Sequence, residues 1–558
     1  MYRNLNTNKY DWKNWRFHLQ QKRKFTFESL KRPEPCELVN DYTSQSSVHG
    51  LRYVSNVKAS IIEKAFWVGA LMICTLAACL LAGQLWKRYL TIPTVLVVKD
   101  THLPLYLFPF PSITVCPANK VKKSVAMEYF SRYIDIDEDE TREDLLHVIS
   151  ALSMMQQPTY FRMKPHVRKS QYLLPHLKNI NVTDFMLATL PTCSEVFAVC
   201  NWHGEEVNCC DVFSLQRTEE GFCYSFNSLT SEGGKHCPLS EVLENEGIVE
   251  EDDIMYEGCQ LRRNTAVGTV TGLEVFIYKS NESETLEYGQ KDLNGIRVIV
   301  HTSYEYPNAG DGIWVKEEQR KRVSITTYPY ITVTSDNVKN LEIAKRGCVF
   351  PDEMDLHVYH VYTESSCLIE CRFKYIANKC NCYMYYFPPP DDEKPICGTL
   401  HLECIVGHAP YMRLQRPPEN TPGFNKEDMR RSLNCSHCIP TCYETEHDLE
   451  VDFLADSHWL SRVYYGHLDV AYGNLGATKY QRDITFTWTD LLVSLGGVAN
   501  LFLGFSLLSV VEFIYWVIKI ALIVIWKHYK RKQKLNKILP LIRLKYCNDP
   551  FPFDNSKK

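Results

Sequence analysis

The stretch "LGGVANLFLGFSLLSVVEFIYW" (Leu495–Trp516) decides the fold. It is apolar enough for a membrane interior. Yet it carries Gly496, Gly497 and Gly504, small residues at Ala499, Ser506 and Ser509, and one carboxylate at Glu512. Glycines weaken a soluble core helix, and a lone carboxylate is costly in a passive anchor. In a bilayer the same choices make sense: small residues let helices approach closely, and an ionisable group inside a span marks function by default.

Working outward, residues 491–526 form one long apolar span in which only Glu512 and Lys519 are charged. A second such segment lies near the other end. "AFWVGALMICTLAACLLAG" (Ala65–Gly83) has no charge in 19 residues, enough for a helix to cross a hydrocarbon core of about 30 Å. These spans predict a membrane protein with transmembrane helices at 65–85 and 491–526. Some sixty polar and charged residues precede the first span, which is therefore expected to act as a signal anchor.

The 558-residue chain has a net charge of −4, and that small total hides a lopsided distribution. Residues 1–64 hold twelve Lys/Arg against six Asp/Glu, and residues 527–558 hold ten against two. Residues 86–490 hold 39 Lys/Arg against 57 Asp/Glu. Basic flanks mark the cytoplasmic side, so 1–64 and 527–558 are expected inside and 86–490 outside, in a multi-pass protein of the plasma membrane. Lys87 and Arg88 oppose this and are outnumbered. Basic residues confined to membrane flanks give no footprint for nucleic acid.

Cysteine usage points to the same compartment. Eighteen of 22 cysteines lie between Cys116 and Cys442, an even number in a segment placed where disulfides form. Cys36, Cys74, Cys79 and Cys547 fall in the tails or first span and read as free thiols. Sequons at Asn181, Asn281 and Asn434 agree with an exposed, glycosylated surface. "CLIECRFKYIANKCNC" and "CSHC" leave zinc or redox chemistry open. The block lacks paired C-x-x-C knuckles, however, and Pro440 interrupts any thioredoxin-like helix, so disulfides are the better reading and no metal or cofactor is expected. Nor is an enzyme: H-E-x-x-H, G-x-S-x-G, Walker and dinucleotide fingerprints are all absent.

Between the spans, "PFPSITVCP" (Pro109–Pro117), "GIRVIVHTSYEYP" (Gly295–Pro307), "VSITTYPYITVTS" (Val323–Ser335) and "SRVYYGHLDVAY" (Ser461–Tyr472) read as strands. An amphipathic helix is predicted from about Thr141, after an acidic run. Residues 1–64 show no strong periodicity.

Several local patterns then occur in one order. His49-Gly50 precedes the first span, and "FPSITVCP" (Phe110–Pro117), "GFCYSFN" (Gly221–Asn227) and "VIVHTSYEYP" (Val298–Pro307) follow it. "YTESSCLIEC" (Tyr362–Cys371), "NKCNC" (Asn378–Cys382) and "CIPTC" (Cys438–Cys442) come next, and "GGVANLFLGFSLLSVVE" (Gly496–Glu512) is last. From His49 to Glu512 the chain resembles the degenerin/epithelial sodium channel family, most closely its insect pickpocket branch.

That resemblance implies two transmembrane helices carrying a large disulfide-rich α/β ectodomain of palm, thumb and finger type, with a thumb-like block at 348–442, in a homo- or heterotrimer embedded in membrane lipid. It implies a sensory or epithelial channel for sodium and other monovalent cations, gated from outside and blocked by amiloride. Gly504, Phe505 and Ser506 would form the selectivity filter, with Gly504 extended to free backbone carbonyls. Glu512 would add a ring of pore carboxylates, and His49-Gly50 a gating motif lining the lower pore. The gate falls at Val493, eleven residues before Gly504, or at Ser494 if the register slips by one.

The implied disulfides are Cys116–Cys223, Cys193–Cys200, Cys348–Cys442, Cys367–Cys438, Cys371–Cys435, Cys380–Cys404 and Cys382–Cys397. Partners of Cys435 and Cys438 are open to exchange, and Cys209, Cys210, Cys237 and Cys259 are left unassigned. A non-conducting receptor or accessory subunit of the same fold is the rival reading. A lipid-binding scavenger receptor would need neither Gly504–Ser506 nor Glu512. The activating stimulus is not legible; residues 120–220 are where its specificity is expected.

Overall fold

The computed structural model describes residues 35–91, 94–134, 139–157, 159–232, 261–279, 281–286, 295–316, 321–357, 361–388, 394–419, 421–455 and 466–546. They fall into two compact units, one from the segments before Thr94 and after Thr485, the other from Thr94–Thr485. Cys237, Cys259, Cys547, the side chain of Cys36 and positions 461–465 of the last expected strand lie outside the described residues.

The smaller unit is helical. Helix α1 (Pro35–Gln45) is not expected from the reading of residues 1–64 as aperiodic; its residues do carry a helical period. Helix α2 (Ile61–Thr91) contains the first apolar span and is long enough to cross a bilayer. The second span differs from a single helix over 491–526. It comprises α3 (Trp488–Leu503) and α4 (Leu507–Tyr546), separated by Gly504–Ser506. Thr487 starts α3 with a capping box: its hydroxyl accepts from Asp490 N–H at 3.2 Å, and Asp490 Oδ2 accepts from Thr487 N–H at 3.0 Å.

The larger unit is built on two sheets. Its strands are β1 (Thr94–Pro104), β2 (Ser112–Pro117), β3 (Phe197–Trp202), β4 (Glu205–Val207), β5 (Phe213–Thr218), β6 (Gly221–Phe226) and β7 (Leu273–Ile277). They continue as β8 (Gly295–His301), β9 (Gly312–Lys316), β10 (Lys321–Thr334), β11 (Glu444–Ala455), β12 (Gly466–Tyr472) and β13 (Gly476–Ile484). The eight-stranded sheet runs β1-β13-β10-β12-β7-β3-β4, with β11 also paired to β10. Strand β10 organises it: β11 runs antiparallel along one edge, while β12 and then β13 lie parallel along the other. The five-stranded sheet, β5-β6-β2-β8-β9, is antiparallel throughout.

Burial explains the strand sequences. β2, β6, β7 and β12 are buried along their whole length. β2 and β6 carry no charged residue, as fully buried strands can read. β7 and β12 instead bury Glu274, His467 and Asp469, of which His467 pairs with Glu274 at 2.8 Å and Asp469 with Arg322 at 2.6 Å. Phe110, Phe226 and Trp202 pack edge-on or tilted around one another at 5.0–6.3 Å between ring centres. The predicted helix runs from Asp139 to Ser153, and its apolar face is fully buried at Leu145, Val148, Ile149 and Leu152.

Charged groups knit the larger unit. Arg372, on helix Glu364–Cys380, makes two bonds of 2.7 and 2.8 Å to the Glu219 carboxylate in the β5–β6 turn. Next to it Glu220, 4% exposed, pairs with Arg297, 7% exposed, on β8. Burial pushes the Glu220 carboxyl up, while Lys120 and Arg297 pull it down.

The cysteine block is a disulfide ladder. Helix Glu364–Cys380 presents Cys367 and Cys371 one turn apart, bonded to Cys438 and Cys435. Cys348–Cys442, Cys380–Cys404 and Cys382–Cys397 complete it, and Cys116–Cys223 joins β2 to β6. The Cys193–Cys200 pairing implied by the resemblance is corrected: the bonds are Cys193–Cys210 and Cys200–Cys209. The reason is the β3–β4 hairpin. It returns the chain beside β3 and starts a short helix at Cys209, whose first two residues project in different directions. Each then reaches its own partner, at Cα separations of 5.8 and 5.3 Å. Partial reduction with stepwise alkylation should recover these two linkages by mass spectrometry. A Cys193–Cys200 peptide would contradict this arrangement.

Candidate pore site

The apolar helix stops at Gly504 because its backbone enters the left-handed region, φ 63° and ψ 27°, a conformation that glycine adopts without steric cost. The expectation of an extended Gly504 is thereby corrected: Gly504 is left-handed, and the break between α3 and α4 is three residues long, Gly504–Ser506. Gly504 N–H still donates to Asn500 O at 2.9 Å, and Phe505 N–H reaches back to Ala499 O at 3.3 Å. Ser506 then restarts the helix. Its hydroxyl accepts from Ser509 N–H at 3.3 Å, its N–H donates to Ser509 Oγ at 3.1 Å, and its carbonyl takes the first α4 bond, from Val510. The carbonyls of Gly504 and Phe505 have no backbone partner among the described residues.

The break is braced by the segment before the first span. His49 N–H donates to Leu503 O at 2.9 Å, and the His49 ring lies directly over Gly504: a Cβ there would stand 2.5 Å from ring atoms. Gly50, at φ 83°, faces the other way, where a Cβ would stand 3.2 Å from Leu71 of α2. The dipeptide thus spans the space between two helices, an aromatic ring toward one and bare backbone toward the other. Tyr53 stacks on Trp67 at 4.4 Å, fixing the same segment to α2.

Glu512 belongs to this assembly. Ser47, two residues before His49, donates its N–H at 3.3 Å and its hydroxyl at 2.8 Å to Glu512 Oε2. Ser509 Oγ lies 2.7 Å from Ser47 Oγ and is 2% exposed. A chain of hydrogen bonds therefore runs from Ser506 through Ser509 and Ser47 to the Glu512 carboxylate. Neither Ser47 nor Ser509 was singled out from sequence. Their signal was available: Ser509 lies three residues from both Ser506 and Glu512, and Ser47 sits in the polar "SQSSVHG" (Ser44–Gly50).

Helix α3 packs on α2. Leu491 is buried, and Ser494, Leu495, Val498, Ala499 and Phe502 are half-buried. Val493, Gly496, Gly497 and Asn500 occupy the opposite, exposed face, with Val493 74% exposed. Val493 and Ser494 consequently occupy different faces of the helix. In the larger unit Asn181, Asn281 and Asn434 are exposed, and the first two also cap helices with their side-chain oxygens. A metal-like grouping, Cys367, His437 and Cys438, contains two sulfurs already bonded to each other.

Comparison with known proteins follows the same outline. Residues 42–516 match the sequence model of a family described as amiloride-sensitive sodium channel. The chain is 25% identical over 516 residues to the sodium channel protein Nach of Drosophila melanogaster, covering 89% of this chain and 90% of that one. It is 23% identical to pickpocket protein 19 of the same fly, covering 86% and 90%. Similarity extends to acid-sensing ion channel 2 of Danio rerio, at 23% identity over 86% and 84%.

Proposed function

Because this chain belongs to the amiloride-sensitive sodium channel family, a family of membrane channels, we propose that it is a pore-forming subunit of a trimeric, externally gated, sodium-permeable channel of the plasma membrane, with both termini cytoplasmic. The observation that carries this reading is the interrupted second span: Gly504–Ser506 braced by His49, with the Glu512 carboxylate one hydrogen-bond chain away. Three copies of such a break, facing a common axis, would supply the Gly504 and Phe505 carbonyls in place of a cation's water. The Ser506 carbonyl is committed to α4, so this proposal draws its oxygen layers from Gly504 and Phe505. Three Glu512 carboxylates would favour cations and repel anions. The excess of acidic residues over 86–490 would raise the local cation concentration outside, over a screening distance of about 8–10 Å.

Expression of the chain alone in oocytes tests the reading. A stimulated or resting inward current that vanishes when sodium is replaced by a large organic cation is expected. Surface-exposed protein with no current, restored only by a related subunit, would favour the accessory-subunit reading.

The faces of α3 support Val493 over Ser494 as the gate residue of this reading. Val493 is on the exposed face shared with Gly497 and Asn500, where side chains from three subunits would crowd. Ser494 is half-buried on the opposite side. Overpacking costs about 1–3 kcal/mol, enough to move a two-state gate by about tenfold. Val493→Gly is therefore expected to lower resting current and Val493→Trp to raise it. If Ser494→Trp alone raises resting current, the register is off by one.

A further inference from the structure

We propose that the outward face of one short helical segment in the larger unit, Phe161–Lys169, binds a linear sulfated polysaccharide together with Arg413. The stretch 86–490 is acidic as a whole, yet residues 145–183 hold five Lys/Arg and no Asp/Glu. Four of the five fall between Arg162 and Lys169. Such a run reads as a site for a polyanion.

Folding concentrates this charge further. Helix Met163–Lys169 turns Met163 and Val167 inward, which leaves Lys164, Arg168 and Lys169 exposed, as is Arg162 at its start. Helix Leu402–Met412 packs against the segment, and Gln157 Nε2 donates to Met412 O at 3.2 Å. That packing delivers Arg413 from a distant part of the chain. The guanidinium carbons of Arg162 and Arg413 lie 5.7 and 6.0 Å from the centre of one ring, Phe161, which is itself 50% exposed. The ring's negative face attracts both cations and so tolerates their approach.

The chain does not neutralise the cluster. Arg162, Lys164, Arg168 and Arg413 make no ion pair among the described residues. Lys164 and Arg168 stand four residues apart on the helix, where like charges are destabilising. Asp144, the last carboxylate before the run, accepts from the Tyr172 hydroxyl at 2.6 Å, and Lys169 is turned toward His147 Nε2 at 3.3 Å. A repulsive group of four cations is thus retained on the surface, and a bound polyanion would relieve it.

The form of the surface selects the polyanion. All three segments are helical, so they offer no strand edge to which an acidic peptide could add its backbone. The cations stand in water, where one isolated ion pair adds little. A partner must bring many fixed charges along one chain and gain by releasing their counterions. Sulfates do this as strong acids that stay ionised, and their oxygens suit the guanidinium fork. The sugar rings between them present C–H faces to the exposed Phe161 ring. The site depends neither on the pore nor on which way the chain crosses the membrane.

The test is acetylation footprinting of the purified full-length protein, read lysine by lysine in the mass spectrometer, so the basic tails cannot mask the site. Heparin is the probe, beside hyaluronan, which carries carboxylates but no sulfates, and poly-glutamate. Heparin is expected to slow acetylation of Lys164 several-fold and to leave the exposed Lys279, Lys345 and Lys426 unchanged. The concentration for half-protection should rise steeply with salt. Arg162→Gln/Arg413→Gln should raise it by on the order of tenfold, as loss of two charge-assisted contacts implies. Arg132→Gln/Lys279→Gln, at exposed positions outside the patch, should not. Equal protection by poly-glutamate or hyaluronan would overturn the proposal, as would equal protection of every exposed lysine or none of Lys164. So would a Lys164 that reacts only after the oligomer is dissociated, which would make this face a contact between copies of the chain.

Discussion

Gly504→Ala is expected to alter sodium-over-potassium permeability and to reduce current by on the order of tenfold, while surface expression stays near normal. Two costs combine. An L-residue held in the left-handed conformation pays about 1–2 kcal/mol, and the new methyl would stand 2.5 Å from the His49 ring. Either α3 continues as helix through 504, which withdraws the carbonyl turn, or His49 is displaced and the brace on Leu503 O is lost. The measurements are bi-ionic reversal potentials and surface biotinylation. Gly504→Ala/His49→Ala relieves the steric cost alone, so partial recovery of current would identify the ring contact as the cause. Unchanged selectivity with normal current would remove Gly504 from the filter.

The largest effect on folding is expected at Arg297. Arg297→Met leaves the buried Glu220 carboxylate without its guanidinium partner and empties the space over the Trp314 ring, which the guanidinium faces at 5.4 Å. Breaking a buried ion pair by removing one partner costs about 3–5 kcal/mol. That is a large share of a typical domain's stability, so surface expression should fall several-fold and thermal unfolding of the purified protein should shift down. Buried Lys120 also faces the Glu220 carboxylate, so Arg297→Met/Glu220→Gln would leave that ammonium without a counter-charge. Recovery of most of the loss is expected only in the triple variant Arg297→Met/Glu220→Gln/Lys120→Met. If the triple variant is no more stable than Arg297→Met, packing against Trp314 and not the charged cluster is responsible. The adjacent Glu219–Arg372 pair joins the β5–β6 turn to helix Glu364–Cys380, so its loss should lower stability as well.

Much of this protein was legible in local composition. The two spans follow from uncharged length, and β2, β8, β10 and the helix from Asp139 follow from β-branched runs or an amphipathic period. The break in the second span announced itself through glycines where a membrane helix would not need them. Local pattern fell short in two kinds of place. α1 was missed although its helical period is as marked as that of the helix from Asp139, because eleven residues give too short a window for it to stand out. Cys193 and Cys200 look like natural partners at a separation of seven residues, until a hairpin delivers Cys209 and Cys210 to the same spot.

What the sequence by itself determined was therefore the class: spans, an even set of cysteines between them, and an ordered set of family motifs. These depend on residue type and short spacing, which physical chemistry reads within one or two turns of chain. Only the tertiary structure decided who meets whom. Ser47 and Glu512 lie 465 positions apart, and no periodicity relates them; they meet because α1 and the His49-Gly50 turn fold back against α4. Val493 and Ser494 are neighbours in sequence, yet packing leaves one exposed and half-buries the other. Partner choice, face and pairing depend on where the chain returns, and that is a property of packing.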